Sequence, residues 1–369
     1  MSEKKHTTPV EEFKGKMFKH PSATAAYEGL LQAMGNEFSS EIIILTGPTG
    51  VGKSTVATAV GKAVLDKSRS RMEVERDFVP VVALRAVPPT SGNFDWKDFY
   101  IRLLSEQGEP FSDRKLYVPR QMSLLHDSAS TDHLENSVTN CLRRSVEEYL
   151  RRRRTKLLII DEAHHLLMVS NGHRLECQFE TLKSLAIETG TTILLSGTYS
   201  LLNILLHSGQ LTRRSQVVNF GRYDMRCKKE AHNFQRTLTY IEHLLSAYVP
   251  TKLNVDVDYF YQKSIGCVGI LKDWMTRCLD HAIQEKAPQI DATFANRFAL
   301  PNRGLMRILE EAVWGESELA DVGDDLLLDL LKHGLLDTRN DKPVGMVRRK
   351  PGKRKPQRDP VGGHSHGTK

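Results

Sequence analysis

Glu41-Ile42-Ile43-Ile44-Leu45-Thr46-Gly47-Pro48-Thr49-Gly50-Val51-Gly52-Lys53-Ser54-Thr55 decides the fold. An apolar run of strand length passes straight into G-x-x-x-x-G-K-S, and the pattern then turns helical. A phosphate-binding loop needs that context: a strand before it, a helix after it, and a backbone whose successive N–H groups can face one anion. Gly47, Gly50 and Gly52 free the chain to curl. The helix opening near Lys53 aims the positive end of its dipole at the same anion. Lys53 is expected to reach the β- and γ-phosphates of a nucleotide, and the Ser54 hydroxyl to ligate Mg²⁺. Pro48, Thr49, Val51 and Thr55 complete the expected cradle.

A second run supports the first. Leu157-Leu158-Ile159-Ile160-Asp161-Glu162 is a buried-strand stretch ending in two carboxylates, the form of a Walker B strand. Asp161 would hold Mg²⁺ through water, and Glu162 would polarise an attacking water. Alone, such a run reads equally well as a strand followed by a helix-capping acid; downstream of a phosphate loop, the pair gains meaning.

Around these motifs strands alternate with helices. Strands are expected at 41–46, 78–84, 156–160, 191–196 and 216–220, with helices at 53–66, 95–106 and 132–154 and a loop-rich insertion at 107–131. That alternation predicts an α/β fold with a parallel five-stranded sheet flanked by helices. Beyond about residue 226 only helical periodicity remains. The chain therefore divides into a helical segment over 1–40, an α/β core over 41–225, a small all-α domain over 226–318, a helix over 319–340 and a basic tail over 341–369.

With 369 residues, 40% of them hydrophobic and 26% charged, the chain can bury a substantial core. No apolar run approaches the ~18 residues that would span a bilayer, so no membrane partner is expected. No apolar segment follows Met1-Ser2-Glu3-Lys4-Lys5 to make a signal peptide. Five cysteines without CxxC spacing fit reduced thiols in a cytoplasmic protein. The net charge of +7 resides in the tail, because residues 342–358 carry eight Lys/Arg and no acid. With its prolines and glycines that tail reads as disordered, either as an arm for nucleic acid or a partner or as a solubilising end.

Two later segments admit two readings each. Ser196-Gly197-Thr198 ends strand four; Thr198 either senses the γ-phosphate or caps the next turn. Gln210-Leu211-Thr212-Arg213-Arg214 precedes strand five; an arginine there either reaches a neighbouring subunit's nucleotide or is a surface residue.

Taken in order, these features resemble the AAA+ ATPases of the TnsC/TniB type, ATP-dependent regulators that help DNA transposases choose a target. The resemblance runs over about residues 17–315. It rests on Phe18-Lys19-His20-Pro21-Ser22-Ala23, the phosphate loop, Val81-Val82-Ala83-Leu84-Arg85 through Pro88-Pro89-Thr90, Asp98–Leu104, Ile159–Leu166, Leu195–Thr198 and Gln210–Arg214. It implies ATP and Mg²⁺ as cofactors, hydrolysis to ADP and phosphate, and a homo-oligomeric ring or helical filament on duplex DNA. It also implies contact with a transposase and a target-selector protein. By position, Thr198 resembles sensor 1 and Arg214 the arginine finger, with Arg213 beside it; Thr90, Ser91 and Lys97 fall where DNA contacts lie, or are solvated surface residues. The family's lid arginine is absent from Ser264–Lys272, where Lys272 is the substitute cation.

Rival readings share parts of this pattern. Asp161-Glu162-Ala163-His164 is the string of DEAH helicases, but such enzymes need a second RecA-like domain and the residues after Thr198 read as helices. Other AAA+ ATPases, initiator-like or membrane-associated, fit the same motifs. An ATP-gated scaffold without turnover is disfavoured by the intact Glu162. His164 and His165 lack a third ligand and read as packing residues, not a metal site.

Overall fold

The computed structural model describes residues 8–16, 18–35, 42–89, 92–106, 130–168, 172–203, 215–321 and 323–333. Thr90, Ser91, Arg213, Arg214, the expected insertion up to residue 129 and the basic tail lie outside these residues.

Five strands form one sheet: β1 (Ile42–Thr46), β2 (Val81–Arg85), β3 (Leu157–Asp161), β4 (Thr192–Gly197) and β5 (Ser215–Asn219). Their order is β2-β3-β4-β1-β5, and every pairing is parallel. A parallel sheet is covered on both faces, so its inner strands β1, β3 and β4 are largely apolar; all five residues of β1 are buried, while the edge strands β2 and β5 carry polar and exposed positions. Alternation along the strands then sorts side chains between two cores. Ile42, Ile44, Leu158, Ile160, Ile193 and Leu195 pack with residues of α4 (Trp96–Glu106), α5 (Ser130–Arg152) and α6 (Gly172–Thr189). Ile43, Leu45, Leu157, Ile159 and Leu194 pack against α2 (Pro21–Gly35) and α3 (Lys53–Val74). Each fully buried aliphatic side chain contributes roughly 1.5–3 kcal/mol relative to exposure. The strand crossing order brings the ends of β1, β4 and β3 side by side, so that both motif-bearing strands flank β4.

Helix and strand limits differ from the sequence periodicity for local reasons. α3 runs on to Val74, well past residue 66, because nothing in its polar second half breaks a helix; Asp66–Arg69 and Arg71–Glu75 pairs line its exposed side instead. β2 starts at Val81 and not at Phe78, since Pro80 has no N–H and its carbonyl serves Lys156 and Leu157 instead.

After β5 the described residues are helical, with one isolated bridge, Thr251 to Ile290, and no second sheet of the kind a helicase requires. The helices are α7 (Lys228–Ser246), α8 (Val257–Ser264), α9 (Val268–Glu285), α10 (Ala292–Asn296) and α11 (Asn302–Leu319). Phe234, Leu238, Phe260, Leu271, Trp274 and Leu279 make their core, where the Trp274 indole N–H donates to the Ala295 carbonyl at 2.8 Å. α1 (Pro9–Gly15) adds Phe13 to that same core, and Phe18 follows it. The N-terminal residues thus split between two surfaces: α1 on the helical layer, α2 on the sheet. Residues 1–319 form one compact unit and 320–369 a second. The second holds α12 (Asp324–His333), and Leu319 belongs to α11. No helix among the described residues is long and apolar enough to cross a membrane.

Candidate active site

The phosphate loop leaves β1 at Thr46 and enters α3 at Lys53, turning through left-handed backbone at Gly50 (φ 76°) and Gly52 (φ 111°). Gly47 needs no special dihedral but no side chain fits: a Cβ there would lie 2.1 Å from the Phe220 carbonyl oxygen. Gly52 caps α3 without a side chain, leaving first-turn N–H groups facing the loop. The Lys53 ammonium lies over the loop, donating to the carbonyls of Gly47 (3.0 Å) and Pro48 (2.8 Å). Burial pulls its pKa below the usual lysine value, while Glu162, Glu311 and Asp161 pull the other way. Ser54 and Thr55, in the first turn, are exposed.

Ser54 and Asp161 line one cleft of about 480 Å³, together with Ala57, Ile159 and Arg85. A hydroxyl and a carboxylate on a shared wall suit Mg²⁺, which takes one or two protein oxygens and completes its shell with water and phosphate. Among the described residues no group of three or more His, Cys, Asp or Glu could hold a metal ion by itself.

Glu162 follows the strand in a left-handed conformation, φ 52° and ψ 35°. For a residue with a Cβ this costs on the order of 1–2 kcal/mol. It directs the carboxylate out of the sheet end, where Arg85 Nη2 lies 3.7 Å from Oε1 and His164 Nδ1 3.4 Å from Oε2. Burial and the neighbouring His165 lower the pKa of His164. Its Nδ1 makes no hydrogen bond, so it meets Glu162 by proximity alone.

β4 brings Thr198 between the two motifs. Thr46 Oγ1 donates to the Thr198 carbonyl at 3.1 Å, tying the ends of β1 and β4 together. Thr198 occupies the cap position of the 3₁₀ turn Tyr199–Leu202, yet its side chain makes no capping bond; its hydroxyl instead meets that of Ser200 at 2.9 Å. Lys97 is half-buried in the first turn of α4. Lys272 is not a substitute for the missing lid arginine. Its ammonium donates to the carbonyls of Lys14 (2.8 Å) and Lys16 (2.7 Å), which anchors α1 to α9.

Sequence reading misses several residues here because their roles arise from long-range contact. Arg85 is one. Another is Arg222, a half-buried cation paired with Glu316 of α11 at 2.9 Å. A third is His20, whose Nδ1 meets the Tyr223 hydroxyl at 2.9 Å while its ring stacks on Phe220, the residue that closes over Gly47 and Gly52. Only the Phe18–Ala23 string singled out this region beforehand.

A parallel sheet of this order, with a phosphate loop after β1 and an acidic pair after β3, is the AAA+ P-loop fold. Residues 36–205 match the family model described as an AAA domain. No functionally curated protein matches the chain. Among solved structures it is similar to the Walker-type ATPase PABY2304 of Pyrococcus abyssi, at 17% identity over 83% of this chain and 75% of that one, with a TM-score of 0.45. It is also similar to the ORC2 protein of Aeropyrum pernix, at 13% identity over 90% and 86%, with a TM-score of 0.49. Domain III of the Thermotoga maritima replication initiation protein DnaA is similar at 13% identity over 78% and 97%, with a TM-score of 0.44.

Proposed function

We propose that the protein is an Mg²⁺-dependent ATPase that assembles on duplex DNA and, in the finer reading, links target choice to a transposase through a target-selector protein. The cleft that Ser54 shares with Asp161, and the nearness of the Asp161 and Glu162 carboxylates to the Lys53 ammonium, support the ATPase part. The transposition part rests on the motif order described above. In this reading the loop N–H groups and Lys53 hold the phosphates, and Ser54 and Asp161 hold the metal. Mg²⁺ held there would offset the charge that develops on the phosphate oxygens. Glu162 orients the attacking water and accepts its proton. Thr198 faces the γ-phosphate, and Arg214 of a neighbouring subunit completes the site.

ATP hydrolysis with and without duplex DNA tests the first part, with Lys53→Ala as the reference. Absence of Mg²⁺-dependent turnover in the wild-type protein would sink it. Footprinting separates the finer reading from an initiator-like one. Protection that is tolerant of sequence supports a target regulator, and protection confined to one sequence supports an initiator.

A further inference from the structure

The segment Ser264–Ile270 runs between the phosphate loop and the chain leaving β5, and it meets both through backbone. The Gly50 carbonyl accepts the N–H of Ile270 at 3.0 Å. A Cβ on Gly269 would lie 2.2 Å from that same carbonyl oxygen. Three residues earlier, the Gly266 carbonyl accepts the N–H of Tyr223 at 3.0 Å, and a Cβ on Gly266 would lie 2.3 Å from the Tyr223 carbonyl oxygen. The circuit closes through Phe220, whose N–H donates to Thr46 at 2.7 Å and whose carbonyl sits against Gly47. Loop, lid helix and strand exit therefore contact one another main chain to main chain.

Gly269 has no dihedral reason to be glycine, for its φ is not in the left-handed region. In a helix, glycine costs up to about 1 kcal/mol relative to alanine. What requires it is the approach of the Gly50 carbonyl. The N–H of Ile270 belongs to the first turn of α9 and has no acceptor within its own helix; Gly50 supplies one. The Gly50 carbonyl and the Val51 N–H belong to one peptide unit, so a bond to the carbonyl polarises the N–H that the loop can offer a phosphate. No arginine lies in this segment, and Lys272 is engaged with α1. The buried Cys267 thiol, pushed up to about 12 by desolvation, adds no charge either.

We infer that Gly269 and the Ile270 N–H are positioning residues for nucleotide binding: the lid couples to the nucleotide through the backbone of the phosphate loop, in place of a charged lid side chain. This rests on the ATPase reading. Seating α9 on Gly50 holds the loop in its phosphate-binding curl, so unseating it weakens affinity and speeds nucleotide release while leaving the chemistry of Glu162 in place.

The test is nucleotide binding by the full-length protein, using a fluorescent ATP analogue and stopped-flow release, alongside steady-state hydrolysis. Gly269→Ala and Ile270→Pro are each expected to raise Kd and KM about tenfold, the scale of one lost hydrogen bond in a polar site, with kcat within about twofold of wild type. Ile270→Val keeps the N–H and most of the side chain that packs over Gly50, and is expected to lose less than about threefold. Gly304→Ala, on α11 with only Pro301 nearby, serves as the glycine control. Folding is checked by thermal melting. A folded Ile270→Pro protein with wild-type Kd overturns the inference. If neither variant folds, hydrogen exchange on the wild-type chain decides. Saturating ADP is expected to slow exchange across residues 266–272, and unchanged exchange there overturns the inference. Failure of the wild-type protein to bind nucleotide at all would instead overturn the ATPase reading.

Discussion

Arg85, the last residue of β2, reaches across to Glu162, the residue after β3, with 3.7 Å between guanidinium and carboxylate. The pair spans the register in which Arg85 lies opposite Asp161. Arg85 is 73% exposed and ends the strand that leads to the β2–α4 connection. A contact of this kind competes with water for the Glu162 carboxylate. We predict that Arg85→Ala raises basal kcat by no more than about fivefold, since an exposed ion pair is worth only ~0–1 kcal/mol. A drop in kcat would show that Arg85 assists Glu162 instead of restraining it.

Glu162→Gln separates binding from chemistry. The phosphate cradle and Lys53 remain, while the base is lost. We predict near-normal ATP affinity and a fall in turnover of about 10²–10⁴-fold, together with a longer-lived DNA-bound assembly. Turnover within a few-fold of wild type would remove Glu162 from the catalytic role.

Subunit mixing tests the finger. Arg214→Ala retains a good phosphate loop, and Lys53→Ala retains Arg214. If Arg214 acts on a neighbour, a mixture is expected to hydrolyse ATP faster than either variant alone, because such a finger is worth about 10³–10⁵ in rate. No recovery would move the assignment to Arg213 or end it.

His20 makes stability depend on pH. It is 6% exposed, and burial lowers its pKa from 6.5 to about 4. The neutral ring that meets Tyr223 is therefore favoured in the folded state. This contribution is complete above pH 6.5 and is lost as pH falls from 6.5 towards 4. It is at most about 3 kcal/mol by linkage. Urea denaturation at pH 7.5, 6 and 5 should show wild type losing more stability than His20→Gln over that interval. Parallel losses would mean that other groups carry the acid sensitivity.

DNA affinity should be nucleotide-dependent, tolerant of sequence and directed at the backbone. Lys97→Ala is expected to weaken binding equally on unrelated duplexes and to reduce the log–log salt slope by about 0.9. Tight binding without nucleotide that disappears on deleting residues 342–369 would make the tail the DNA-binding element.

The sheet is legible in the sequence because Ile42–Leu45, Leu157–Ile160 and Ile193–Leu195 are apolar runs of strand length, and a parallel sheet leaves no polar face to obscure them. The phosphate loop is legible because its glycines and Lys53 act within eight consecutive residues. What those residues touch is not. Gly50 meets Gly269, and Arg85 meets Glu162, across loops whose closure no local pattern encodes. The left-handed turn at Glu162 is likewise invisible, since acidic residues are common after strands and nothing in Asp161-Glu162-Ala163 marks a positive φ. Lys272 misleads for the same reason: its engagement with Lys14 and Lys16 depends on where α1 packs.

The burial of Trp274 has an optical consequence. Its indole is 1% exposed, bonded to the Ala295 carbonyl and tilted against Phe260 at 5.3 Å. Emission from that ring should be blue-shifted, and it originates on α9, the helix seated on the phosphate loop. Trp96, by contrast, lies on α4 beside Phe94 and Phe99, on the sheet side of the molecule. A chain in which Trp96 and Trp314 are replaced by phenylalanine would therefore report the lid alone. Its shifts on adding nucleotide could be followed in real time with no attached dye.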